Sequence, residues 1–337
     1  MLVTEHPVFQ RFWYPVMPIA HLQERPQSFE LLGQRIALWL DGEGQPQVVR
    51  DRCCHRTARL SKGEVIDGNL RCPYHGWAFD GTGACVDVPQ SPGQPIPKTY
   101  RVEAFACVER YGYAWVCLGE PLTEIPDIPE ARDPQFRQIH QFYEVWNCAG
   151  LRLMENSFDN AHPQFVHANT FGIQQEPVPP VPDSFEELEF GLRLRYNLPV
   201  FNIDTQKANL GTTEERTVRI SEGIWFMPFA RTLKITYPHG LVHLIFTAAV
   251  PMSDRTSQIV QFCLRNDTEA DATAESIIAF DRQVTLEDKE ILEDTEFDVP
   301  LSISVEQHMV SDKPGIVMRH KLAALLKAHS AGAAHTP

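Results

Sequence analysis

Cys53-Cys54-His55-Arg56 and Cys72-Pro73-Tyr74-His75-Gly76-Trp77, with sixteen residues between His55 and Cys72, decide how the first third of this 337-residue chain is read. Each segment offers one thiolate and one imidazole, at Cys-x-His and Cys-x-x-His spacing. Around them the pattern is β: Ile36 to Leu40 ends at Asp41-Gly42, and Asp67-Gly68 and Asp80-Gly81 separate further short apolar segments. Asp-Gly between β-rich runs is a hairpin signal. Tyr113 to Cys117 reads as one more strand, so an all-β domain over residues 1–120 is expected. Two fingers with this donor set suit one metal centre. A tetrahedral Zn would be structural. A [2Fe–2S] cluster with two Cys on one iron and two His on the other would carry electrons. The spacing admits both.

The second informative stretch is Glu155-Asn156-Ser157-Phe158-Asp159-Asn160-Ala161-His162-Pro163-Gln164-Phe165-Val166-His167. On a helix, Asp159 and His162 share a face, with Asn156 one turn earlier. Pro163 interrupts the ladder after His162 and lets His167 return toward the same point. Two imidazoles and one distant carboxylate make the facial triad of non-haem Fe(II) sites, which leaves positions open for O₂ and substrate.

The distant acid is sought near the C-terminus. Residues 267–298 hold twelve acids against Arg282 and Lys289, so most of them form a solvated face. Ala272 to Asp294 reads as one long helix. On it Asp288 shares a stripe with Ile277, Val284, Ile291 and Leu292, and a carboxylate facing a core needs a partner. Asp281 lies on the same stripe and is the rival.

The rest of the chain is read more coarsely. A Pro-rich segment, Pro121 to Pro134, links to a second domain over residues 121–330. Leu151 to Asn160 is expected to be helical, and Pro177 to Pro182 a loop. Leu192 to Tyr196, Thr217 to Phe226, Thr232 to Tyr237, Leu241 to Val250 and Ser257 to Leu264 suggest an antiparallel sheet. Residues 331–337 are expected to be a mobile tail. The net charge of −14 disfavours nucleic acid and anionic membrane surfaces. No apolar run is long enough for a membrane span, and no signal peptide is visible. Eight thinly spread cysteines then point to reduced thiols in the cytoplasm.

Both constellations resemble the motifs of the Rieske non-haem iron oxygenases, which hydroxylate aromatic rings. The Asn-x-x-Asp-x-x-His-x-x-x-x-His pattern of Asn156, Asp159, His162 and His167 is similar to that family's catalytic motif. The resemblance implies an α+β chain: an N-terminal all-β Rieske [2Fe–2S] domain, then a helix-grip (START/Bet v 1-like) catalytic domain with an antiparallel sheet. By that resemblance Cys53 and Cys72 hold one cluster iron and His55 and His75 the other. The family has Pro where this chain has Cys54, and Cys-x-His spacing favours Cys53 as the ligand. Trp77 would shield the cluster. His162, His167 and Asp288 would bind a mononuclear Fe(II), with O₂ as co-substrate. Asp159 would bridge a Rieske histidine, His75, to His162, with Asn156 on the same catalytic face. The resemblance further implies a terminal oxygenase of the shorter monooxygenase and demethylase-like group. It would be a homotrimer, receive electrons from a ferredoxin or flavin reductase, and hydroxylate or dealkylate a small cyclic or aromatic substrate. Trp225, Phe226, Met227, Phe246 and Phe280 are candidate pocket residues. Arg50, Arg52, Arg56, Arg59 and Lys62 form a basic patch suited to an acidic electron donor. The alternative is a non-catalytic protein that binds a hydrophobic ligand and carries a structural Zn.

Overall fold

The computed structural model describes residues 1–172 and 181–330. The expected tail, and most of the expected Pro177 to Pro182 loop, lie outside the described residues. The chain divides into two compact units. One comprises Val3–Ile125 with Val250–Asp254; the other comprises Met1–Leu2, Pro126–Ala249 and the chain from Arg255 onward.

The first unit is built of ten short strands: β1 (Tyr14–Pro18), β2 (Gln27–Leu31), β3 (Gln34–Leu40), β4 (Pro46–Arg50), β5 (Glu64–Ile66), β6 (Asn69–Arg71), β7 (Ala78–Phe79), β8 (Cys85–Asp87), β9 (Ala106–Arg110) and β10 (Tyr113–Cys117). They form three sheets, ordered β1-β10-β9, β2-β3-β4 and β5-β6-β7-β8. The turn residues do what their chemistry predicts. Asp67 (φ 50°) and Gly68 (φ 78°) both take the left-handed conformation that a two-residue hairpin demands. Asp41 instead organises a longer turn, its Oδ1 accepting from the Glu43 and Gln45 N–H groups at 2.9 Å each. Trp39, Val49, Leu60, Leu70 and Phe79 form one core with Cys53 and Cys72. Buried Asp51 ties down the start of the first finger by accepting from the Ser61 N–H (2.8 Å) and hydroxyl (2.7 Å).

The second unit contains β11 (Arg137–Trp146), α1 (Gly150–Ser157), α2 (Pro163–Val166), β12 (Ser184–Leu188), β13 (Gly191–Phe201), α3 (Asp204–Leu210), β14 (Arg216–Phe226), β15 (Ala230–Thr236), β16 (Val242–Pro251), β17 (Ser257–Arg265), α4 (Ala274–Leu292) and α5 (Lys313–Ser330). Seven strands make one antiparallel sheet in the order β11-β17-β16-β15-β14-β13-β12. The helix α4 starts at Thr273, whose side chain accepts from the Ser276 N–H, as an N-cap should. It packs across the β11 end of the sheet, burying Ile277 against Ile139 and Cys263. This is a helix-grip arrangement.

Four expectations need correction. The helix expected over Leu151 to Asn160 stops at Ser157, so Asp159 and His162 share no helical face. Pro163 does not interrupt a helix: it opens α2 at its first position, where its missing N–H costs nothing. Ile291 is 54% exposed, so the inward stripe of α4 omits it. A second long helix, α5, follows α4, burying Met318, Leu322 and Leu325.

Candidate metal centres

The two fingers of the first unit are tight loops closed on their own cysteines. The Cys53 N–H donates to the Ala58 carbonyl (2.8 Å), and the Thr57 N–H to the Cys53 carbonyl (3.0 Å). The Cys72 N–H donates to the Trp77 carbonyl (2.8 Å), and the Gly76 N–H to the Cys72 carbonyl (3.0 Å). Gly76 has φ +76°, and a Cβ there would stand 3.1 Å from Pro89, so glycine fits this turn best. Cys53 and Cys72 are both buried, whereas Cys54 is exposed. The His55 and His75 rings meet edge to face at 4.6 Å. Trp77 stacks on His55 at 4.6 Å and on Tyr100 at 4.7 Å. Gln90 fixes both sides of this arrangement. It accepts from the Trp77 indole N–H (3.2 Å) and donates to the His75 carbonyl (2.7 Å). Nothing in the sequence singled Gln90 out.

The donor set fits an iron–sulfur centre. Burial and the neighbouring Cys72 thiol push the Cys53 thiol up to about 12, a cost that metal binding removes, because a coordinating thiol is deprotonated outright. Desolvation and the like charges of His75 and Arg56 lower the His55 pKa, which favours the neutral ligating form. His55 Nδ1 has no hydrogen-bond partner.

In the second unit, one turn of α2 carries the chain from His162 to His167, whose N–H donates to the Pro163 carbonyl (3.0 Å). Their rings stand 5.1 Å apart at 70°, with the two Nε2 atoms at 3.2 Å. Asp288 Oδ1 lies 3.3 Å from His167 Nε2 and 3.5 Å from His162 Nε2. Glu287, its neighbour on α4, takes the other side of His167, with Oε2 2.9 Å from Nδ1 and accepting from the Thr170 hydroxyl at 2.9 Å. That contact assigns the His167 proton to Nδ1 and turns the Nε2 lone pair inward. Asp159 Oδ2 stands 3.4 Å from His162 Nδ1, beyond a formed hydrogen bond but close enough to favour a proton on that nitrogen. Two lone pairs and a buried carboxylate oxygen without a hydrogen-bond donor therefore converge on one point. Acceptors repel one another unless a cation lies among them, so the set fits a divalent metal.

Burial opposes the charge on Asp288, but His167, His162 and a hydrogen bond from Asn156 outweigh it and hold the carboxyl below its usual range. Burial also opposes a charged His167, but Asp288 and Glu287 outweigh it and raise its pKa, so a proton competes with a metal for Nε2. Asp281 stands apart from the two histidines. It is buried beside His243 (3.2 Å), accepts from the Gln141 amide, and forms a second group with Cys263. Glu287, the residue just before Asp288, was missed by sequence reasoning. Of the expected pocket residues, Trp225, Met227, Phe246 and Phe280 are buried in the core. Trp225 donates to the Pro228 carbonyl (3.0 Å), and Phe246 stacks on Phe262 (4.9 Å). Arg50, Arg52, Arg56, Arg59 and Lys62 are all exposed, Arg50 pairing with Glu103.

A unit whose paired fingers suit a cluster, joined in one chain to a helix-grip unit with a two-histidine, one-carboxylate centre, defines an iron-dependent oxygenase class. Comparison with known proteins agrees. Residues 12–105 match the Rieske [2Fe-2S] domain, and residues 146–328 match the vanillate O-demethylase oxygenase C-terminal domain. Methylxanthine N1-demethylase NdmA of Pseudomonas putida is 31% identical over 338 residues, covering 97% of this chain and 92% of the relative. The dicamba O-demethylase oxygenase component of Stenotrophomonas maltophilia is 35% identical over 159 residues, 46% of each chain. The structure of Pseudomonas putida CBB5 NdmA with caffeine superposes with a TM-score of 0.85 at 30% identity, covering 97% of this chain and 94% of that one. The chain belongs to the Rieske non-haem iron oxygenases and is a terminal oxygenase component. Its cofactors are a [2Fe–2S] cluster and a mononuclear iron, and O₂ is its co-substrate. It receives electrons from a reductase or ferredoxin and oxidises a small organic substrate. The non-catalytic alternative is not favoured. Among the described residues no helix is long and apolar enough to cross a membrane.

Proposed function

We propose that this chain demethylates a small cyclic or aromatic substrate at oxygen or nitrogen, with the cluster held by Cys53, His55, Cys72 and His75 and the mononuclear iron by His162, His167 and Asp288. The inward convergence of two Nε2 lone pairs on Asp288 Oδ1 is the observation that carries the second set. The cluster supplies single electrons and the iron supplies O₂ activation. The protein's own groups do the rest. Glu287 and Asp159 fix the orientation of the two imidazoles, and Asn156 holds Asp288. Trp77 covers a face of His55 and is itself stacked on Tyr100, which would shield the cluster on that side. Overall, the substrate methyl group, O₂, two electrons and two protons give the demethylated substrate, formaldehyde and water.

In this account residues 1–120 are the cluster domain and residues 121–330 the catalytic domain. The working unit is a homotrimer, in which His75 of one protomer reaches Asp159 of the next. The exposed arginines around the first finger receive an acidic electron donor. All eight cysteines are free thiols, which suits the cytoplasm. Formaldehyde released from methoxy- and N-methyl-arenes, with a ferredoxin and reductase supplied, tests the reaction. Ring hydroxylation without formaldehyde would replace it. Asp159→Asn should keep three irons per chain but turn over slowly; unchanged turnover would remove the bridge.

A further inference from the structure

Two buried guanidinium groups of the second unit have carboxylate partners. Arg265 is paired with Asp267, and Arg319 with Glu155 and Glu306. Arg219 lacks one, but it lies over the rings of Phe171 (5.1 Å) and Tyr237 (5.6 Å), which take part of its charge. Arg231 on β15 has neither. Its Nε and Nη1 are buried with no hydrogen-bond acceptor.

The register says where Arg231 points. It pairs with Trp225 on β14 and Thr247 on β16, and directly opposed residues share a face. Thr247 donates to Gln261, which donates to Gln141, whose amide donates to Asp281 on α4. Arg231 therefore projects from the face that α4 covers. Trp225 is 0% exposed and Thr247 3%, yet Arg231 keeps part of its surface accessible. The charged groups that act on it are Asp288, Tyr196 and Asp281. Asp288 belongs to the metal centre, and Asp281 is engaged by Gln141 and His243. Two donors of the guanidinium, Nε and Nη1, are thus left without an acceptor among the described residues, within electrostatic reach of Asp288.

We propose that Arg231 anchors an oxyanion group of the substrate, a carboxylate or sulfonate. The substrate class is then a small ring compound that carries an acid group at the end away from the oxidised carbon. The inference rests on the oxygenase reading and deepens it. A guanidinium offers two parallel N–H donors to such a group, and an anion neutralises a charge that an amide would leave buried.

Calorimetric titration of the iron-loaded enzyme with benzoate and benzenesulfonate, against benzamide and benzenesulfonamide, tests this without turnover. The expected result is at least tenfold tighter binding of one or both anions than of its amide. Which anion binds tells a planar oxyanion from a tetrahedral one. R231Q should erase that preference, and R231K should retain part of it, with iron and sulfide content unchanged in both. Equal binding of anion and amide by the wild type, no anion binding, or a preference that survives R231Q would overturn the proposal. The wild-type comparison decides even if R231Q fails to fold. Loss of the oxygenase reading would show separately, as an enzyme that takes up no mononuclear iron.

Discussion

The two centres are built in opposite ways. The cluster fingers lie within residues 53–77 and close on themselves through four backbone hydrogen bonds. The mononuclear centre joins α2 to a helix far along the chain: His167 and Glu287 are 120 residues apart. The first therefore depends on turn chemistry, and the second on the whole helix-grip unit being folded. Local contacts cost little loop entropy, whereas distant ones form only when the intervening sheet is in place. The comparison teaches that one centre can be lost while the other survives.

The largest expected effect is that of His162→Ala. Turnover should fall by at least about 10³-fold, since enzymic rate enhancements of about 10⁶ or more rest on the reacting centre. The visible spectrum of the cluster should be unchanged. A bleached spectrum would break the separation of the two centres. Glu287→Gln leaves all three inward donors in place but loosens His167. Iron affinity should drop about 10–100-fold, as loss of a ligand's orienting partner typically costs, and iron titration measures it. Gly76→Ala strains only the second finger. It should cost about 1–3 kcal/mol, the usual penalty for a side chain forced into a sparsely populated backbone region. Thermal unfolding would report this, with cluster content falling and mononuclear iron retained.

The smallest effect belongs to the acid side of stability. Burial opposes the charge on Glu306, but Arg152 and Arg319 outweigh it and bring its pKa from 4.5 to about 2. The folded state then binds fewer protons than the unfolded one between those values. This contribution is complete above pH 4.5 and is lost as the pH falls toward 2. Glu306→Gln should lower stability at neutral pH and converge on wild type as the pH falls toward 2, so that the acid limb of its stability–pH curve is flatter.

The same contrast explains what the sequence disclosed. The cluster fingers were readable because cysteine and histidine spacing, Gly76 and the Asp-Gly turns act locally. Asp288 was reachable from helical periodicity, although Ile291, one of its supposed stripe partners, faces outward. Periodicity could not separate Asp288 from Asp281, seven residues earlier. Only the fold shows that one meets the two histidines and the other meets His243 and Gln141. Glu287 and Gln90 escaped notice because an orienting residue has no spacing rule of its own. The strand β11, Arg137–Trp146, was missed because charged and amide side chains interrupt its alternation. Its Gln141 is buried only because α4 brings Asp281 to it. Pro314 and Gly315 in the first turn of α5 masked the helix that follows.

The most direct test counts iron and acid-labile sulfide in the wild type and in Asp288→Ala, with low-temperature EPR before and after dithionite. The wild type should hold about three irons and two sulfides per chain, from one cluster plus one mononuclear site. The variant should hold about two of each, with the Rieske signal intact on reduction. A variant that keeps the third iron, or loses the cluster along with it, would contradict two independent centres and the assignment of Asp288.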